Sequence, residues 1–201
     1  MFFVDNNIFV IQEEIFTKTH VEFLQELLSP QHITLVISNA EKAFQEAEEL
    51  TKALKSSGVK VDNVVVANLS ELHSAVQSIQ PTTDAIVILK DHLIVSAVET
   101  IAQKAYELQV PIVASDEGSV QKGATIALGV KERAIGEAGG EILHKVLEHT
   151  FSEEDVFTDI SGNASVFVNN KALTQSKLDV AKIAEVARKM NLVTNYVQTT
   201  R

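Results

Sequence analysis

Ile33-Thr34-Leu35-Val36-Ile37 is an unbroken apolar and β-branched run, closed by Ser38-Asn39 and followed by Phe44, Ala47, Leu50 and Leu54 at helical steps. A short run of this kind reads as a buried strand, and the spacing after it reads as an amphipathic helix. Gly58 stands where such a helix needs a left-handed residue to end it. Working outward, the same unit recurs. Val61 to Ala67 reads as a second strand, with Asn68 or Ser70 as the cap of a helix carrying Leu72, Ala75, Val76 and Ile79 up to Pro81. Asp84 to Leu89 reads as a third strand, before one helix with Ile94, Val95, Val98, Ile101, Ala102 and Ala105, and Pro111 to Ser115 as a fourth. Apolar strands separated by crossover-length helices imply a parallel sheet covered on both faces. The expected class is α/β, a Rossmann-like doubly wound parallel sheet.

Beyond that core, Ala124 to Val130 reads as a further strand. Arg133 to His149 reads as a helix with Ile135, Ala138, Ile142, Leu143, Val146 and Leu147 inward, its Gly136, Gly139 and Gly140 serving close packing. Phe151 to Gly162 reads as an acidic turn and Val166 to Val168 as a short strand. A last helix, about Leu178 to Met190, has Val180, Ile183, Ala184 and Ala187 in register, and Asn191 to Arg201 reads as a frayed end.

A chain of 201 residues, 45% hydrophobic and 22% charged, has the composition of an ordinary globular domain. Its 27 acidic and 17 basic residues give a net charge of −10, which repels polyphosphates and anionic lipid, so no nucleic-acid partner is expected. Without cysteine there are no disulfides, thiolate metal sites or cysteine nucleophiles. The histidines offer no ligand pair at helical spacing, and no Walker A loop, G-x-G-x-x-G, nucleophile elbow or H-E-x-x-H is present. No cofactor, metal or catalytic group is expected. The first residues, Met1 to Asn7, lack a basic stretch and carry Asp5 in the apolar patch, unlike a signal peptide. As written, the chain is expected to remain in the cytoplasm.

In an open parallel sheet, ligands bind outside the carboxyl ends of the strands. Three turns are expected there: Ser38-Asn39-Ala40-Glu41, Lys90-Asp91-His92 and Ser115-Asp116-Glu117-Gly118-Ser119. Each also fits a helix cap or a simple turn. A phosphoacceptor receiver would place an acidic pair after the first strand, where Ser38-Asn39 stands instead.

The runs Asp84 to His92, Val110 to Asp116, and Ser119-Val120-Gln121-Lys122-Gly123-Ala124 with Ala127-Leu128-Gly129 resemble the second half of ABC transporter substrate-binding proteins of the tryptophan/tyrosine-binding type. That family lies in the type I periplasmic-binding-protein superfamily. The resemblance is strongest from Leu27 to His149, and Phe167-Val168-Asn169 looks like the family's return segment. It implies a non-catalytic protein of two lobes closing on an amino acid, characteristically aromatic, for delivery to an ABC permease. Members are periplasmic, or extracellular and membrane-anchored. The resemblance implies ligand-binding roles for Ser38, Asn39, Glu41, Asp91, His92, Ser115, Asp116 and Ser119. Ala43 and Phe44, His92, and Glu132-Arg133 depart from the family's pattern.

It also implies a chain truncated to about the second lobe. Residues 1–30 would be a remnant of the first-lobe helix and hinge, 31–125 the second lobe, 126–150 a crossover strand and helix, and 151–201 the return segment and helix. The helix near 133–149 would then lack its sheet and pack on the remaining lobe or on a second copy, as a homodimer. The alternative is a cytoplasmic interaction or scaffold module that has lost ligand binding. A third possibility, an enzyme acting at the strand-end rim, rests on fold analogy alone.

Overall fold

A computed structural model describes residues 2–4 and 7–198. Its main body is a seven-stranded sheet in the order β10-β9-β7-β6-β5-β3-β4, formed by β3 (His32–Ser38), β4 (Lys60–Val66), β5 (Ala85–Ile88), β6 (Ile112–Ala114), β7 (Ile126–Val130), β9 (Ala164–Asn169) and β10 (Val193–Val197). β4, β3, β5, β6 and β7 run parallel, and β9 returns antiparallel to β7 with β10 parallel to it. The sheet is thus mainly parallel, as the βα alternation implies, with two reversed strands at one edge.

Alternation along the strands sends apolar side chains to both faces. Ile33, Leu35 and Ile37 share one cluster with Phe23, Leu24 and Leu27 of α1 (Thr17–Leu28), Leu50 and Leu54 of α2 (Glu41–Ser56), and Ile183, Val186 and Ala187 of α9 (Val180–Lys189). Val36, Ile86 and Ile88 face α3 (Leu69–Gln77), α4 (His92–Ser96), α5 (Val98–Leu108) and α6 (Glu117–Gln121). The residues expected to be a first-lobe remnant therefore place α1 on the large sheet. One helix was expected between β5 and β6. Two form, because the backbone breaks at Ala97, the C-cap of α4 and N-cap of α5. Gly58 follows the end of α2 at φ +84°, a conformation that glycine adopts without a Cβ penalty.

A second, three-stranded sheet, β1-β2-β8, joins β1 (Phe2–Val4), β2 (Asn7–Gln12) and β8 (Phe157–Asp159). β8 corrects the expectation of a turn-like 151–162. It is only three residues long and reads as a loop until β2 pairs with it in parallel. β2 gives α7 (Glu132–Leu147) its partner, with buried Phe9 packing on Ile142 and Val146. The helix expected to lack a sheet therefore has a strip of one. That strip is narrow, so Leu143 and Leu147, expected inward, are exposed. Gly136 and Gly140 face open space, and no close packing requires them.

Other faces are also corrected. Phe44 is half exposed, and Ala43 takes the buried position. In α9, Val180 and Ala184 are exposed while Val186 is buried. The frayed end expected at 191–201 contains β10, which adds to the β9 edge. Residues 199–201 lie outside the described part.

Candidate functional site

The three turns singled out in the sequence follow β3, β5 and β6, neighbouring parallel strands, and so leave the large sheet on the same edge. Asp91 ties two of them together. Its Oδ2 accepts the Ser38 backbone N–H at 2.8 Å, while Oδ1 accepts those of Leu93 at 2.9 Å and Ile94 at 3.4 Å, capping α4. Asp116 does the same for α6, accepting the Ser119 backbone N–H at 2.8 Å and its hydroxyl at 2.7 Å. These carboxylates are buried and committed to backbone N–H groups and, for Asp116, the Ser119 hydroxyl, which fixes the rim in place. The Ser38 hydroxyl accepts the Ala40 N–H at 3.1 Å. Asn39, Glu41 and His92 are exposed on the same edge and do not border the cavity described next.

Ser115 alone of the eight borders a cavity of about 260 Å³ above the strand ends. Its Oγ is buried and has no hydrogen-bond partner. A buried hydroxyl left unpaired costs about 1–3 kcal/mol. The β6 and β7 ends approach closely at this point. A Cβ on Gly129 would stand 2.7 Å from the Ser115 carbonyl oxygen, so only glycine leaves that turn undisturbed.

The remaining walls come from the segment between β2 and α1, from α1, and from α2. Lys90 Nζ holds Glu13 Oε1 at 2.6 Å, and Lys42 pairs with Glu14 and, at 3.6 Å, with Glu46. Two ion pairs thus pin the 13–16 segment across the rim. The hydrogen bond from Lys42 to Glu14 raises the lysine above its ordinary pKa. Burial is the main cause of the raised Glu46 pKa, with the carboxylates of Glu14 and Glu49 adding to it and Lys42 opposing it. Burial lowers His20 to about 4, so its imidazole is neutral at pH 7. Leu50, Leu89, Phe16 and Val130 supply an apolar lining.

Glu14, His20, Lys42 and Glu46 escape sequence reasoning because no motif marks them. The available signal was the helical spacing of Lys42, Glu46 and Glu49 beside buried Leu50. Among the described residues, no three acidic or histidine side chains converge to hold a metal ion.

A mainly parallel sheet with a part-apolar cavity beyond its carboxyl edge is the arrangement of a small-molecule-binding lobe. The chain belongs to the ABC transporter substrate-binding protein family, whose model it matches over residues 5–191. It is 36% identical over 155 residues to an uncharacterized protein of Rickettsia prowazekii, the match covering 75% of this chain and 51% of that one. It is 29% identical over 141 residues to a tyrosine-binding protein of Clostridioides difficile, covering 69% and 41%. The chain therefore spans about half the length of the curated relatives it matches. Among solved structures, the ABC domain from Streptococcus pneumoniae in complex with L-Trp superposes with a TM-score of 0.71 at 19% identity, covering 90% of this chain and 62% of that one.

Proposed function

We propose that this chain supplies the ligand-binding lobe of an ABC-type uptake system's substrate-binding protein, with an amino acid or close analogue held at the cavity beside Ser115. The observation that carries this reading is the buried, unpartnered Ser115 Oγ at the carboxyl edge of the sheet, in a chain of this family. An ABC permease is the partner that the family implies, and a compartment outside the cytoplasmic membrane is where such a protein works. No helix among the described residues is long and apolar enough to cross a membrane. The role is binding without catalysis. The rim carboxylates Asp91 and Asp116 are spent on helix caps, which leaves them as scaffold for the ligand-facing groups.

A relative that binds tyrosine and a structural neighbour holding L-Trp make aromatic amino acids the first probes. A thermal-shift panel of the free amino acids tests the reading, because ligand at 100 times its dissociation constant adds about 2.7 kcal/mol to stability. At least one amino acid should raise the melting temperature, and Ser115→Ala should diminish the rise. A flat response to the whole panel would overturn the proposal.

A further inference from the structure

The charges around the cavity do not balance. Four carboxylates face it, Glu13, Glu14, Glu46 and Glu49, against the cations Lys42 and Lys90. Each lysine is already held, Lys90 by Glu13 and Lys42 by Glu14 with Glu46 beyond. Glu49 has no ion-pair partner among the described residues, and neutral His20 adds no positive charge at pH 7. A surplus of two negative charges is therefore shared by Glu46 and Glu49, which lie one helical turn apart on α2. Like charges at that spacing repel. Burial is the chief reason that the carboxyl of Glu46 is harder to ionise than usual, and the charges of Glu14 and Glu49 add to it.

The surplus faces a partly open, part-apolar cavity that is also bordered by Ser115, whose Oγ has no hydrogen-bond partner. We infer that the cavity selects a ligand carrying an apolar body and a surplus positive charge, a basic amino acid or an alkyl diamine, with Glu46 and Glu49 setting that choice. The inference rests on the binding role proposed above and concerns only which ligand fills the site. A cation between the two carboxylates relieves their mutual repulsion and gains charge-assisted hydrogen bonds. A ligand with a net negative charge meets the same field with opposite sign. Neutral amino acids keep the apolar contacts and gain nothing from the surplus.

Calorimetric titration of the full chain with L-lysine, L-norleucine, L-glutamate, L-tyrosine and 1,5-diaminopentane tests this, since norleucine keeps lysine's carbon chain without its terminal amine. Lysine or the diamine should bind at least about tenfold more tightly than norleucine, the worth of one charge-assisted contact. Glutamate should be weakest. Glu46→Gln and Glu49→Gln, both on solvent-accessible positions of a helix where glutamine is well tolerated, should each cut the lysine-to-norleucine preference severalfold while circular dichroism stays unchanged. Tyrosine or norleucine binding as tightly as the cations would overturn the inference and leave the binding role standing. No binding by any of these probes would overturn the inference, and the binding role falls with it only if the full amino-acid panel is flat as well. A lysine preference that survives both substitutions would remove these residues from the role assigned to them.

Discussion

The two edges of the large sheet treat polar groups in opposite ways. At the amino edge, His32 is buried with both ring nitrogens engaged, Nε2 at 2.8 Å from Asp62 Oδ2 and Nδ1 at 3.0 Å from Thr82 Oγ1. Asp84 Oδ2 accepts the backbone N–H groups of Gln31 and His32 at 2.7 and 2.9 Å, and Thr34 donates to Thr83, which donates to the Ala85 carbonyl. Every one of these side chains has its partner. At the carboxyl edge the caps are equally complete, yet Ser115 Oγ is orphaned and the acids outnumber the cations. A satisfied polar cluster locks strands together, whereas an unpaired buried polar atom costs stability.

The largest expected effect is at the rim's own scaffold. Asp91→Ala removes the acceptor of three backbone N–H groups and should cost about 2–4 kcal/mol in urea unfolding, through the lost cap and the buried donors left behind. A cost below about 1 kcal/mol would mean that solvent replaces the carboxylate. Next, Gly129→Ala drives a Cβ into the Ser115 carbonyl and should cost about 1–3 kcal/mol, with ligand response falling as the turn shifts.

His20 gives a pH dependence. Its folded pKa, about 4, lies below the ordinary 6.5, so between those values the unfolded chain binds the proton and the folded chain does not. Stability from this group is whole above pH 6.5 and is lost as the pH falls through 4, by about 3 kcal/mol. His20→Gln should flatten that part of the stability curve. Glu46 acts in the other direction, since its raised pKa makes folding less favourable as the pH climbs past the usual carboxylate range.

The smallest pair of effects sharpens the contrast most. Thr83→Val at the amino edge should cost about 1 kcal/mol, because it cuts a complete chain of hydrogen bonds. Ser115→Ala at the opposite edge should stabilise the free protein by about 1 kcal/mol, because no bond is lost and an unpaired buried hydroxyl is removed.

The sequence makes the central strands legible because β3, β5, β6 and β7 are buried on both faces and therefore mostly apolar. β8 and β10 are hidden for the opposite reason. Phe157-Thr158-Asp159 is three residues long, and Thr194-Asn195 interrupts the apolar pattern of an exposed edge strand, so only pairing with β2 and β9 makes them strands. The rim is legible too, since it follows from topology, and Asn68, Asp91 and Asp116 cap their helices as their residue types suggest. The cavity's charged wall is not, because it depends on how α1 and α2 cross the sheet and on a segment, 13–16, whose partners lie 28 and 77 residues away.

The backbone passes between the small and large sheets at three places: 13–16 between β2 and α1, Lys131 between β7 and α7, and 160–163 between β8 and β9. A body on one tether can swivel; one on three can only bend, with all three passages changing their dihedrals together. A single protease cut at 13–16 would therefore break the covalent link from β1 and β2 to α1, leaving those two strands held by pairing with β8 and by Phe9 packed on α7, while β8 and α7 keep their two intact threads.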